Sequence, residues 1–328
     1  MDRMNTISSL YSLGIEWKGS PRLWNMLDRK LIPYCDANGR VFDISGNLKF
    51  TLVPEGPLGK GTFGIVDAFQ KIIPGETSRI VALKRSNHKS IDLLLEGLFQ
   101  WKLHNEMEKY NLGFCIPKVY DIVRFQVTGD IWFTMESFEP ILLSQWCVKN
   151  LGSNPKRLFA LLLLQISLVL EVFENKLFVD HRDLKLNNIL IKDEPITIHF
   201  KWNQKDHSLT FPFQIVLVDF GFACIQRLLD LREGDGLPPI DPCPKIGRDI
   251  FQVLASLWSI KVLRGFLQAI WGGWIREKLR TDHRSYMGLA ETMESLDWMY
   301  TLTDSDTFQA PHCAPTNIIE DCLSVLEG

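Results

Sequence analysis

Residues 181–188 read His181-Arg182-Asp183-Leu184-Lys185-Leu186-Asn187-Asn188 and follow a long apolar run that favours a helix. The stretch places an Asp five positions before an Asn, and another Asp follows in the strand-like segment Val218-Asp219-Phe220-Gly221. Phosphoryl transfer to an alcohol needs an Asp that takes a hydroxyl proton, and an Asn and an Asp that hold magnesium. The spacing of these three side chains therefore predicts that chemistry.

The composition is that of a folded protein with an ample core. The chain has 328 residues, of which 46% are hydrophobic and 23% charged, enough for one large domain or two lobes. The net charge of −3 gives no sign of a nucleic-acid footprint or a basic membrane patch. We therefore expect neither nucleic acid nor a membrane as a partner.

Cysteine usage and hydropathy indicate the cytosol. Seven cysteines are scattered without a C-x-x-C pair, which argues against a zinc site or a disulfide framework and favours reduced thiols. The N-terminus lacks a basic segment followed by a long apolar one, so no secretory signal is expected. The run from Leu158 to Leu170 is shorter than the roughly 20 residues that span a bilayer, and it predicts a buried helix. We expect a cytoplasmic protein, with the nucleus or a viral host's cytoplasm as alternatives.

A glycine-rich segment lies nearer the N-terminus. It comprises Leu58, Gly59, Lys60, Gly61, Thr62, Phe63, Gly64, Ile65 and Val66. A dinucleotide fold would start a helix at these glycines, but here the chain stays extended, turns at Pro74-Gly75 and enters the β-branched stretch Ile80–Lys84. Without side chains, the glycines would let backbone N–H groups approach phosphates.

The motifs H-R-D-L-x-x-x-N and D-F-G, with the glycine segment and the strand lysine before them, resemble the eukaryotic serine/threonine protein kinase family. The resemblance implies an α+β, bilobal fold with a small β-rich N-lobe and a larger, mainly helical C-lobe. Residues 1–50 would be an N-terminal extension packed on the kinase, 51–140 the N-lobe and 141–328 the C-lobe. Within the extension, turn signals at Ala37-Asn38-Gly39 and Ser45-Gly46-Asn47 predict small hairpins over residues 34–50. ATP and magnesium would be the cofactors and proteins the substrates, and the oligomeric state stays open.

The same resemblance implies roles for the motif residues. Asp183 would orient and deprotonate the substrate hydroxyl, and Lys185, typical of serine/threonine kinases, would hold the γ-phosphate. Lys84 would neutralise the α- and β-phosphates. Asn188 and Asp219 would bind magnesium through oxygen atoms.

The resemblance also implies an adenine pocket. Residues 58–66 would cover the phosphates, and Ala82 would contact the nucleotide. Met135 would guard the back of the pocket, while backbone groups of Glu136 and Phe138 would hydrogen-bond adenine. Taken alone, Met135 could instead be a core filler at a buried strand end.

A helix is expected to start near Ser90 and run toward Asn111. Its buried side would be formed by Leu93, Leu94, Leu95, Leu98, Phe99 and Leu103. Family resemblance places in this helix a Glu that pairs with Lys84, and two candidates exist. Glu96 is chosen over Glu106 by position, although Gln100 stands four residues later where kinases usually have an apolar residue.

Three departures from the kinase pattern follow the catalytic motif. Asn188 and Asp219 are 31 positions apart, and the alternation over residues 196–213 predicts an inserted β-hairpin, similar to that of haspin-type kinases. No A-P-E motif follows; residues 234–244 stand in its place, which leaves peptide recognition open. Residues 219–249 contain no Ser, Thr or Tyr, so we expect activity without phosphorylation of this segment.

The abbreviated C-terminal part resembles kinases of large DNA viruses. Asp249 would support the catalytic loop, a helical core over residues 263–279 would break at Gly272-Gly273, and a last helix would span residues 317–326. Two alternatives to an active protein kinase remain: an ATP-binding interaction protein with a kinase fold, and a phosphotransferase that acts on a small molecule.

Overall fold

The computed structural model describes residues 29–61, 64–87, 93–139, 141–150, 155–225, 243–281, 284–285, 287–293 and 295–327. The chain forms two compact units: the first holds residues up to 109 and 116–138, and the second holds 110–115 and 139–328. Several positions with expected roles lie outside the described residues, namely Thr62, Phe63, Ser90 and residues 234–242 of the segment 234–244.

The first unit contains a closed barrel of seven strands in the order β1-β2-β3-β4-β5-β7-β6. The strands are β1 Tyr34–Cys35, β2 Arg40–Phe42, β3 Leu48–Lys60, β4 Gly64–Ile72, β5 Arg79–Ser86, β6 Val119–Phe125 and β7 Ile131–Glu136. Gly39 and Gly46, with φ of 78° and 85°, make the turns that join β1 to β2 and β2 to β3. The hairpins predicted for residues 34–50 are therefore confirmed.

Helix α1, Leu94–Glu108, packs on this barrel. A Cβ at Gly97 would lie 3.1 Å from the Phe133 ring, so glycine allows the helix to approach β7 closely. The helix ends before Asn111, which has φ of 58°. Leu95, expected on the buried side, is instead exposed, because it lies roughly 100° around the helix from the buried Leu94.

The second unit is mainly helical. Its helices are α2 Leu143–Asn150, α3 Pro155–Val172, α4 Arg248–Ser259, α5 Lys261–Lys278, α6 Met287–Thr292, α7 Asp297–Thr303 and α8 Pro315–Glu327. Its strands are β8 Ile141–Leu142, β9 Val179–Asp180, β10 Ile189–Lys192, β11 Ile196–Trp202, β12 Lys205–Phe211, β13 Gln214–Leu217, β14 Cys224–Ile225, β15 Arg280–Thr281 and β16 Arg284–Ser285.

Helix α3 forms the core of this unit. Its buried Gln165 donates to the Phe213 carbonyl at 3.2 Å and accepts from the Ile215 amide, so the polar side chain in the apolar run ties α3 to β13. By length and composition alone, Pro155–Leu177 could cross a membrane, but 78% of its apolar 18-residue stretch is buried inside the protein. Such burial is what a core helix shows.

Helix α5 corrects the sequence prediction of a break at Gly272-Gly273. The helix runs without interruption from Lys261 to Lys278. Two glycines cost roughly 1 kcal/mol each relative to alanine, and burial of the apolar face outweighs that cost. Trp271 packs edge-on against Phe159 at 5.5 Å and against Trp274 at 4.8 Å between ring centroids.

Strands β10 and β13 pair antiparallel, and the hairpin β11–β12 joins them. Its turn uses Asn203 and Gln204 with φ of 46° and 66°, as tight hairpin turns require. Near the turn, Lys205 Nζ lies 2.6 Å from a carboxylate oxygen of Glu327 in α8. The hairpin is thus anchored to the last helix.

Glu174 gives the fold a pH dependence. Its carboxylate accepts from the Gly247 amide at 3.0 Å at the start of α4. Burial, with smaller effects of Asp249 and Glu171, raises the pKa of Glu174 from 4.5 to about 7. The unfolded chain therefore ionises this group at lower pH than the folded chain, and the free energy of unfolding falls as the pH rises from about 4.5 to about 7.

We predict that Glu174→Gln stabilises the protein above pH 7 by on the order of 1–2 kcal/mol. Glutamine keeps the acceptor for Gly247 and carries no charge. Urea unfolding of both proteins at pH 4 and pH 8 measures the effect, which should be absent at the lower pH. A variant less stable than wild type at pH 8 would contradict the prediction.

Candidate active site

In the first unit, β5 and α1 bring a lysine and a glutamate together. Lys84 and Glu96 are both buried, and the Lys84 ammonium contacts the Glu96 carboxylate directly. Glu106 instead lies 2.7 Å from Lys102 Nζ and 2.5 Å from Lys109 Nζ. Because removing one member would leave the other charge buried, the pair constrains the packing of α1 on the barrel.

Gln100 lies four residues after Glu96, at a position where kinases usually have an apolar residue. Its side chain is buried, and Nε2 donates to the Pro117 carbonyl at 2.8 Å. A buried amide is tolerated when its polar atoms have partners. The polar residue is therefore compatible with Glu96 as the partner of Lys84.

The glycine segment connects β3 and β4. The Gly61 amide donates to the Gly64 carbonyl at 2.9 Å and closes the turn. A Cβ at Gly64 would lie 3.0 Å from Lys84 Cε and 3.2 Å from the Arg85 carbonyl oxygen, so glycine makes room for the lysine. At Gly59 a Cβ would meet nothing within 4 Å. Packing does not require glycine at that position, whereas an open approach to the backbone would explain it.

The residues expected to contact adenine lie at one end of the β5–β7 strand pair. Ala82 is paired with Met135, and Val81 with Glu136, between β5 and β7. Ala82 and Met135 belong to one buried cluster, against which Val66 packs. The strand end is therefore apolar, with the backbone of Glu136 at its margin.

In the second unit, helix α4 holds the backbone of the catalytic motif by hydrogen bonds. The Asp249 carboxylate accepts from the His181 amide at 2.7 Å and the Arg182 amide at 2.9 Å. Arg182 has φ of 67°, a conformation that such fixed contacts can hold. The predicted support role of Asp249 is thus confirmed. His181 is buried, and its Nε2 lies 3.0 Å from the Val218 carbonyl.

Gln252 on the same helix is a second support, which the sequence motifs did not indicate. Gln252 accepts from the Leu184 amide at 2.9 Å and donates to the Arg182 carbonyl at 2.8 Å. Its position three residues after Asp249 places it on the same helix face, and that spacing could have indicated its role. Asp249 and Gln252 together hold the backbone on both sides of Asp183.

Asp183 is buried, and several donors reach its carboxylate. Lys185 Nζ lies 3.0 Å from both oxygens, and Asn188 Nδ2 donates to Oδ2 at 2.9 Å. The Tyr300 hydroxyl donates to Oδ1 at 2.5 Å, a contact that no motif indicated. Because the Asn188 nitrogen faces Asp183, its amide oxygen is the atom with metal-binding capacity.

Strand register brings the two expected metal ligands to one end of a ladder. Ile189 is paired with Leu217, and the Val218 amide donates to the Asn188 carbonyl at 3.0 Å. Asp219 follows directly, with φ of 68°, which is uncommon for a residue other than glycine. Carboxylate and amide oxygens are the ligands that magnesium prefers, so these residues fit a divalent cation.

The cysteines require a correction. Cys224 and Cys243 form a disulfide, with 6.3 Å between their Cα atoms, so the expectation of reduced thiols is wrong for this pair. The two lie 19 positions apart in sequence. The pairing of β14 with β9 places Cys224 opposite Asp180, directly before the catalytic motif. Cysteine spacing in the sequence does not report this tertiary proximity. The other five cysteines are buried and form no disulfide.

Each unit thus carries side chains of the kind that phosphoryl transfer needs. The first has a glycine turn and a buried Lys–Glu pair, and the second has an aspartate that is hydrogen-bonded to a lysine and an asparagine. A family model described as the protein kinase domain matches residues 52–230, more than half of the chain. The chain therefore belongs to the protein kinase family, whose domain implies ATP, a divalent metal and protein substrates. A search of curated proteins found no match.

We predict that Cys224→Ser lowers the free energy of unfolding by about 3 kcal/mol in the absence of reductant, the loss expected for a loop of this length. With reductant, wild type and variant should unfold alike, because both then lack the cross-link. Urea titrations with and without dithiothreitol measure this difference. Insensitivity of the wild type to reductant, with no cross-linked peptide in non-reducing mass spectrometry, would refute the prediction.

Proposed function

We propose that this protein transfers the γ-phosphate of ATP, with magnesium, to serine and threonine hydroxyls of proteins. The observation that carries the proposal is the buried Asp183 carboxylate, within hydrogen-bond distance of both Lys185 and Asn188. Asp219 follows the neighbouring strand, as a second oxygen ligand would have to. A lysine two residues after the catalytic aspartate is typical of serine/threonine kinases.

In the proposed reaction, the substrate hydroxyl oxygen forms a bond to the γ-phosphorus. The bond from that phosphorus to the β–γ bridging oxygen breaks, and its electron pair leaves with ADP. Asp183 accepts the hydroxyl proton, and Lys185 stabilises the negative charge of the transferring group. Asn188 and Asp219 would hold magnesium, which supplies neutralisation of phosphate charge.

For nucleotide binding, we assign the phosphates to residues 58–66 and to Lys84, which Glu96 orients. The buried contact of Lys84 with Glu96 and the missing Cβ at Gly64 support this assignment. Adenine would lie against Ala82 and Met135 and bond to the backbone of Glu136 and Phe138.

The kinase domain is proposed to span about residues 51–328, in a cytoplasmic protein of a divergent branch. Haspin-type kinases and kinases of large DNA viruses are the proposed relatives. The hairpin β11–β12, which we interpret as an insertion between Asn188 and Asp219, supports a divergent branch. The lack of an A-P-E motif supports it as well.

We also propose activity without phosphorylation of residues 219–249. Many kinases order this segment when a phosphate pairs with the arginine of the H-R-D motif. Here Arg182 Nη2 lies 3.6 Å from the Asp304 carboxylate, a fixed negative charge on the residue after α7. This carboxylate can replace part of what a phosphate would supply.

We predict that phosphatase treatment leaves the transfer rate unchanged. Asp304→Asn should lower the rate by only about two- to fivefold, because a partly exposed pair contributes ~1 kcal/mol or less. Initial rates before and after treatment measure the effect. Loss of activity on treatment, with a phosphosite mapped between residues 219 and 249, would overturn the proposal.

We predict that Asp183→Asn lowers transfer by about 10²–10⁴-fold, the usual contribution of a catalytic base. Melting temperature and ATP affinity should stay near those of wild type, because asparagine keeps the shape of the side chain. The matched control is Asp193→Asn, at an exposed position after β10. A peptide array with serine and threonine acceptors supplies the substrate.

Full activity of Asp183→Asn would refute the assigned role. A wild-type protein that binds Mg-ATP tightly but phosphorylates no acceptor would favour the alternative of an ATP-binding interaction protein with a kinase fold. Transfer to a small alcohol in place of the peptides would indicate a small-molecule phosphotransferase.

A further inference from the structure

Tyr300 is a residue outside the kinase motifs that reaches the reacting group. Its hydroxyl donates to Asp183 Oδ1 at 2.5 Å. Lys185 Nζ lies 5.6 Å from the centroid of its ring, within range of a cation–π contact. One tyrosine from α7 thus touches both the proposed base and the proposed phosphate-binding lysine.

The C-terminal end of α7 is anchored independently of this contact. Thr303, at the end of the helix, is fully buried, and its hydroxyl accepts from Gln252 Nε2 at 3.0 Å. The buried Lys245 donates to the carbonyls of Thr303 and Ser305 at 2.9 and 2.8 Å. Since Gln252 also bonds to the backbone of Arg182, α7 and the catalytic loop share one support.

The Tyr300 hydroxyl can act only as a donor to Asp183. Burial, followed by the hydrogen bond to Asp183 and the nearby carboxylates of Asp183, Asp297 and Asp304, raises the pKa of Tyr300 far above its usual range. The phenol therefore keeps its proton throughout the pH range in which proteins work, and it cannot compete with Asp183 as a base.

The hydrogen bonds to Asp183 leave room for a substrate without removing Tyr300. A carboxylate offers about four acceptor positions. Lys185 uses one on each oxygen, Asn188 a second on Oδ2 and Tyr300 a second on Oδ1. When Lys185 turns to the transferring phosphoryl group, a position opens on each oxygen, and the substrate hydroxyl can take one.

We propose that Tyr300 is a positioning residue for phosphoryl transfer, whose hydroxyl fixes the Asp183 carboxylate after Lys185 has left it. This inference rests on the proposed kinase function. Helix α7, which begins 48 positions after residue 249 (297 − 249), thereby becomes part of the catalytic apparatus. Without the hydroxyl, the carboxylate would rotate among orientations that do not suit proton transfer.

The test is Tyr300→Phe, which removes one oxygen and keeps the ring. We expect kcat to fall by about 10- to 100-fold, as misplacement of a catalytic group does, while KM for ATP changes by less than about twofold. The melting temperature should stay close to that of wild type. Tyr110→Phe, at an exposed position, is the matched control and should leave the rate unchanged.

Three outcomes of this assay would overturn the proposal. A higher kcat in Tyr300→Phe would mean that the hydroxyl blocks the acceptor position and acts as an autoinhibitory contact. An unchanged kcat would mean that the hydrogen bond to Asp183 is only structural. If the variant has both a lower kcat and a lower melting temperature, the assay is repeated at a lower temperature at which the variant is folded. Recovery of the full rate there would also overturn the proposal.

A second measurement separates this inference from the proposed function. If wild type transfers phosphate to no acceptor, the kinase proposal fails, but the contact can still be tested by hydrogen exchange. Removal of the acceptor in Asp183→Ala should speed the exchange of amides in residues 297–303 and leave α8 unchanged. Equal exchange of residues 297–303 in both proteins would show that Asp183 does not hold Tyr300.

Discussion

The catalytic loop depends on one buried carboxylate, that of Asp249, which accepts hydrogen bonds from the amides of His181 and Arg182, 68 and 67 residues away in sequence. Hydrogen bonds to a charged group contribute about 1.5–3 kcal/mol each. They compensate for the positive φ of Arg182, which costs of order 1–3 kcal/mol. That conformation turns the chain directly before Asp183. Gln252 adds bonds on either side of that residue, so the orientation of Asp183 follows from helix α4.

Much of the site could be predicted because its residues lie in short motifs. Asp183, Lys185 and Asn188 occupy one stretch. The resemblance to kinases implied a glutamate partner for Lys84, and position along the chain favoured Glu96 over Glu106. Turn signals predicted the hairpins at residues 34–50, where glycines mark the turns. Each of these features carries a signal in a short segment of sequence, and for that reason it could be predicted.

The features that sequence reasoning missed depend on contacts between distant segments. Tyr300 reaches Asp183 from 117 residues away, and the disulfide partner of Cys224 lies beyond a long segment. Local pattern gave no signal for either contact. The uninterrupted helix through Gly272-Gly273 shows the converse, because tertiary burial of Trp271 overrode an unfavourable local propensity.

The contacts that hold the catalytic loop differ in strength. The Arg182–Asp304 contact is 3.6 Å long and involves a half-exposed carboxylate, so it contributes less than ~1 kcal/mol. The buried bonds of Asp249 and Gln252 to the loop backbone are shorter and shielded from water. A phosphate added near Arg182 could therefore change little in the orientation of Asp183, because α4 already fixes the backbone. The remaining freedom is rotation of the Asp183 carboxylate itself, and the groups that restrain that rotation are Lys185, Asn188 and Tyr300.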